Sequence, residues 1–119
     1  MAGSEILHFG RDEQGYNAYA PYDSLNKVSA TLDAGTAASF TVPSNYPVWI
    51  VAFSPQPGTN VWVDFTGATA EIPAGNTFAD TTSSLNPGQR TVLAGTSISC
   101  ITDNTTADCG VEMWALRQP

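Results

Sequence analysis

Charged side chains are scarce in this 119-residue chain, at 13% of the total, and the few present are mostly acidic. Eleven Asp and Glu face four Lys and Arg, for a net charge of −7 at neutral pH. No basic stripe offsets the acids, so a nucleic-acid backbone is repelled and anionic membrane surfaces are disfavoured. Two cysteines and one histidine, His8, fall short of the four ligands of a structural zinc site, and no metal or cofactor is expected. The longest apolar run, Val48–Phe53, has the length of a strand and not of a membrane span. The opening stretch MAGSEILHFG lacks a basic n-region and a long apolar h-region, so no signal peptide is read and synthesis in a cytoplasm is expected.

Catalytic patterns are also missing. No G-x-S-x-G elbow or phosphate-cradling glycine loop occurs. A Ser/His/Asp or Cys/His arrangement would have to recruit His8 from the N-terminal arm. Glu112 and Asp64 are the only candidates for a pair of glycosidase carboxylates, set against the simpler reading of solvated surface acids. DNTTAD gathers Asp103, Asn104 and Asp108 in one loop, but without the spacing of an EF-hand it reads as a polar turn.

What is present is period two. The length suits one domain that buries roughly two-thirds of the surface of its unfolded chain, without needing disulfides. Val28, Ala30 and Leu32 alternate with Ser29 and Thr31; Ala38, Phe40 and Val42 alternate with Ser39 and Thr41. A loop around Gly35 predicts a hairpin with Leu32 facing Ala38 and Val28 facing Val42. A second hairpin is predicted from VWIVAF and NVWVDF, with Phe53 facing Val61, Val51 facing Val63 and Trp49 facing Phe65. Its other face would join Val48, Ile50 and Ala52 to Trp62, beside Asn60 and Asp64. That face is too apolar for open water, so an arm, a long loop or a neighbouring copy is expected to cover it. Short strands are expected near Thr69–Ile72 and Asn76–Ala79, then over Arg90–Ala94, Ser97–Thr102 and Gly110–Leu116. About eight short strands point to an all-β fold: an antiparallel β-sandwich, jelly roll or related Greek key, over residues 26–119.

Residues 1–25 read as an extended aromatic arm. Tyr16, Tyr19 and Tyr22 recur at intervals of three, but Gly15 and Pro21 oppose a helix. These tyrosines and Phe9 either lie over the chain's own sheet or dock on another protein.

Closing a hairpin around TDNTTA would set Cys100 opposite Cys109, Ile98 opposite Val111 and Thr96 opposite Met113. Opposed residues lie within disulfide reach, so a Cys100–Cys109 bridge stays open. Buried free thiols are the favoured reading for a chain without a signal peptide.

Two classes of function fit: a structural protein that assembles through the Val48, Ile50 and Trp62 face and the arm, or a carbohydrate-binding module using Trp62 with Asn60 and Asp64. A hydrolase is a third. The stretches SATL, SFTVPSNYPVWIVAF, NVWVDFTG, EIPAG, LNPGQRTVLAGTSISCIT and GVEMWAL, over about residues 26–116, resemble small virion proteins of tailed bacteriophages. These include capsid decoration (cement) proteins and short head or tail accessory proteins, often trimeric β-sandwiches. The resemblance implies a non-enzymatic virion protein that binds a major capsid protein as a homo-oligomer, with Phe9, Tyr16, Tyr19 and Tyr22 in the tether.

Overall fold

The computed structural model describes residues 23–80 and 83–116. Eight strands are formed: β1 Asn26–Asp33, β2 Ala38–Thr41, β3 Val48–Pro55, β4 Val61–Asp64, β5 Ser83–Leu85, β6 Gln89–Leu93, β7 Ser97–Thr102 and β8 Thr106–Ala115. They build two four-stranded sheets, ordered β1-β8-β3-β6 and β2-β7-β4-β5, and every strand pairing is antiparallel. The described residues contain no helix. The all-β sandwich expected from the period-two pattern is what the chain adopts.

The pairings follow one rule. β1 pairs with β8, β2 with β7, β3 with β6 and β4 with β5. A long antiparallel ribbon, folded at the β4–β5 connection and wrapped so that alternate rungs fall in opposite sheets, gives this order. Of strands consecutive in sequence, only β4 and β5 pair; every other connection crosses from one sheet to the other.

This wrap overturns three expected hairpins. β1 and β2 do not pair; they are edge strands of opposite sheets. β3 pairs with β6 and β8, and β4 with β5 and β7. β7 and β8 are likewise in different sheets, so Cys100 stands beside Ala38 and Val63, and Cys109 beside Ala30 and Pro55. The alternation identified the inward side chains correctly. It could not say whether two inward rows meet side by side in one sheet or across the core.

Trp49, Val51, Val63 and Ile98 are wholly sealed between the sheets, each such burial contributing roughly 1.5–3 kcal/mol. Phe53 meets Phe65 edge-on at 5.7 Å between ring centroids, which ties β3 to the end of β4. The indole N–H of Trp49 donates to the carbonyl of Tyr46 at 3.0 Å, so its one polar atom is satisfied in the core.

Two special backbone positions hold the crossings. Gly95, at φ 76°, turns the chain from β6 into β7 and donates its N–H to Val42 O at 3.1 Å. Asn86, at φ 43°, follows β5; its side chain accepts Val61 N–H at 2.8 Å and donates to Thr59 O at 3.2 Å. Asparagine tolerates that left-handed conformation better than other side chains.

Residues 66–80 form none of the short strands expected at Thr69–Ile72 and Asn76–Ala79; β5 falls instead at Ser83–Leu85, where the sequence pattern predicts no strand. This segment crosses the outside of the second sheet. Ala70 N–H donates to Ser99 Oγ of β7 at 2.9 Å, and Glu71 N–H to Ser83 Oγ of β5 at 3.0 Å.

Replacing the fully buried Ile98 with alanine is expected to cost about 2–5 kcal/mol in urea unfolding. Leu93→Ala, at a side chain 68% exposed, should stay within about 0.5 kcal/mol. Equal losses would contradict the assigned inward face.

Candidate functional site

The sandwich is open along its β1–β2 edge. Val28, Ala30 and Leu32 of β1 form one wall of a groove, and Ala38 and Phe40 of β2 form the other. Cys100, Cys109 and Val111 line its floor, and the cavity holds about 280 Å³. Both cysteines are buried free thiols, brought together from opposite sheets. Burial pushes the Cys100 thiol up to about 12, with the neighbouring Cys109 adding to the rise. Cys109 is raised by burial too. A thiol held so far above neutral pH carries almost no thiolate and is a poor nucleophile.

Glu112 and Asp64 are not brought together. Glu112 pairs with Ala52 and lies on the outer face of the first sheet, while Asp64 lies on the outer face of the second. Two packed sheets, about 10 Å apart, separate them, beyond the range of a glycosidase pair. Asp64 is also sealed, at 1% exposure, with one carboxylate oxygen accepting Thr66 N–H at 2.7 Å and Thr66 Oγ at 2.6 Å.

The expected shared apolar face is split for the same reason. Val48, Ile50 and Ala52 are half-buried on the outside of the first sheet. Trp62 is half-buried on the outside of the second, between Leu85 and Ile101. Its indole N–H is closed off from solvent and meets no acceptor among the described residues. The Ala70–Glu71 crossing passes over this strand, so part of the predicted cover is a long loop. Asn60 accompanies Asp103 and Asn104 instead of Trp62: its N–H donates to Asn104 Oδ1 at 2.8 Å and its side chain to Asp103 Oδ2 at 3.4 Å. Asp108 sits apart on β8, accepting Thr31 Oγ1 at 2.7 Å, so the loop acids do not converge. Among the described residues no group of three or more His, Cys, Asp or Glu could hold a metal ion, and no helix is long and apolar enough to cross a membrane. Phe9, Tyr16, Tyr19, Tyr22 and His8 lie outside the described residues.

Sequence reasoning missed three features. Phe78 is fully exposed in the 66–80 segment, and Leu93 is 68% exposed on β6. Trp114 shares the outward side of β8 with Glu112, yet is only 3% exposed. The last was legible in part, since strict alternation along GVEMWAL places Trp114 beside Glu112.

Comparisons with protein-family models, curated proteins and solved structures found no match for this chain.

Raised thiol pKa values mean that the folded state keeps protons that the unfolded state releases, so stability must fall with rising pH. The contribution is intact below the unfolded-state value near 9.0 and declines as pH climbs toward about 12. The urea midpoint should be flatter over that window in Cys100→Ala than in the parent chain; identical slopes would contradict the buried-thiol assignment.

Proposed function

We propose that the chain is a non-enzymatic structural protein of a tailed-phage virion, a capsid decoration protein that binds and stabilises the outer shell as a homo-oligomer, with a trimer favoured. In this reading the wrapped ribbon is a jelly roll. The supporting observation is the placement of apolar surface on two opposite edges of one sandwich. The β5–β6 edge presents Leu85 at 46% and Leu93 at 68% exposure, and the segment leading into β5 carries the fully exposed Phe78. The opposite, β1–β2 edge carries the apolar groove. Exposed apolar side chains at one end of the strand order, on the outer faces of both sheets, and an apolar recess at the other end suit a head-to-tail contact between copies, and such contacts close into rings when the rotation permits.

A ring presents several copies of each weak contact to a repeating shell. Once one copy is attached, the others act at high effective concentration. The net charge of −7 keeps free subunits soluble and away from packaged nucleic acid. The N-terminal arm, with Phe9, Tyr16, Tyr19 and Tyr22, serves as the tether to the shell.

Light scattering is expected to give the mass of three 12.5 kDa chains, and the protein should cosediment with heads of its own virus. Phe78→Asp combined with Leu93→Asp should reduce the mass to one chain while leaving the urea midpoint nearly unchanged. A monomeric parent chain that is retained on polysaccharide columns would overturn the proposal in favour of sugar binding.

A further inference from the structure

β1 is the long edge of the first sheet, and among the described strands it pairs with β8 alone. Its backbone orientation follows from the rung beyond Asp33↔Thr106, where Ala34 N–H donates to Thr105 O at 3.3 Å. Hydrogen-bonded rungs alternate along an antiparallel pair, so Leu32, Ala30 and Val28 are the residues that exchange bonds with β8. The far side of β8 agrees: Leu116 N–H donates to Val48 O at 2.9 Å, which leaves the odd-numbered residues of β8 for β1. The N–H and C=O of Ser29 and Thr31 therefore point away from β8. Their side chains lie on the outer face, while Val28 and Ala30, both exposed, lie on the groove wall.

The sequence of this edge, NKVSATLD, is complementary to itself when two copies run antiparallel about Ala30. Val28 then stands opposite Leu32 of the second copy, and Ser29 opposite its Thr31. Lys27 stands opposite Asp33, so each end of the pair joins opposite charges. Directly opposed residues share a face, so apolar side chains meet on the groove side, and hydroxyls and charges on the outer side. Sliding one strand by two residues in either direction leaves both charges without an opposite. Lys27 lies 2.7 Å from Asp23 and 3.7 Å from Glu112 of its own copy, whereas Asp33 has no ion pair among the described residues. The second copy brings Asp33 the base it lacks. β6, the other edge of this sheet, has no such symmetry: about Thr91 it would set Arg90 against Val92.

We infer that the β1 edge is a two-fold interface for a second copy of this chain, paired antiparallel about Ala30. Ser29 and Thr31 of the two copies exchange backbone hydrogen bonds in both directions, and the two four-stranded sheets become one. The axis is normal to the sheet, so both second sheets lie on the same side and the two grooves face each other. Val28 and Ala30 of both copies stand between them. Edge-to-edge pairing is open to a strand that carries no charge, proline or bulge along its middle, and here the terminal charges fix its register. The inference does not rest on the ring. A closed ring occupies every β1 edge, so the two-fold pair belongs to chains whose head-to-tail contact is open.

The test uses the full-length chain carrying Phe78→Asp and Leu93→Asp, which opens the head-to-tail contact. Sedimentation at rising concentration should take its mass from one 12.5 kDa chain to two and no further. Adding Ser29→Pro removes an edge N–H that β8 does not use; it should raise the dissociation constant at least about tenfold while circular dichroism stays unchanged. Crosslinking reads the register, with Cys100 and Cys109 both replaced by alanine. Ala30→Cys should then form a disulfide dimer under mild oxidation, since directly opposed residues lie within disulfide reach. Ser29→Cys alone should not, but a mixture of Ser29→Cys with Thr31→Cys should. A single chain at every concentration would overturn the inference, and amide protection of Ser29 and Thr31 in that chain would give the edge to its own N-terminal arm. Dimers that Ala30→Cys fails to trap would overturn it as well. The ring is scored separately, by the mass of the parent chain, so either reading can fail without the other.

Discussion

The structure depends on the two ladders of β8. This strand pairs with β1 from Asn26↔Met113 to Asp33↔Thr106 and with β3 from Trp49↔Ala115 to Pro55↔Cys109. Its inward side chains, Ala107, Cys109, Val111 and Met113, run through the middle of the core. The β1 ladder joins segments roughly 80 residues apart, and closing such a loop costs about 4 kcal/mol beyond a constant. Two or three sealed side chains at about 1.5–3 kcal/mol each offset that cost. The same ladder fixes where the N-terminal arm begins, which edge is open, and which residues of β8 face outward.

Legibility in the sequence followed this division between local and distant information. The period-two rows identified Val28, Ala30, Leu32, Trp49, Val51, Phe53, Val61 and Val63 as one-sided; the structure buries Leu32, Trp49, Val51, Phe53, Val61 and Val63 and leaves Val28 and Ala30 exposed on the groove wall. Ser97–Thr102 was delimited to the residue. Partner choice was not legible, because alternation has no term for which strand lies alongside. Short turns such as Ala34–Ala37 looked like hairpin loops, yet they carry the chain across the end of the sandwich: Gly35 N–H donates to Thr102 O at 2.9 Å, tying the turn to the opposite sheet. The same error produced the single apolar face for Val48, Ile50 and Trp62, and the hairpin register for the cysteines. The groove was invisible for a related reason, since it exists only where two edges that do not pair face each other.

Many of the described polar side chains have local structural work. Asp64 holds the start of the crossing segment through Thr66, Asp108 joins β8 to β1 through Thr31, and Asp103 and Asn104 hold Asn60. The Asp23 carboxyl is kept below the ordinary carboxylate range chiefly by its hydrogen bond from Lys27, with Glu112 adding to it. A carboxylate engaged in fixing a loop is poorly placed to transfer protons to a substrate. The two thiols, each raised by burial, act as small apolar side chains on the groove floor.

Edge strands show where a second chain has room to add. In the second sheet the edges are short, with β2 of four residues and β5 of three, too little to template another strand. In the first sheet β1 is eight residues long, and its charged residues, Lys27 and Asp33, stand near its two ends. Between them, Val28 to Leu32 is an uncharged stretch that pairs with β8 alone among the described strands and lies directly above the groove. Natural sheets usually interrupt such an edge with a charge, a proline or a bulge, and this stretch has neither charge nor proline. Under the proposed assembly, that omission makes sense: a partner segment docking there gains ladder hydrogen bonds from β1 and apolar contact from the groove, whereas a charge at Ala30 would remove the second without blocking the first.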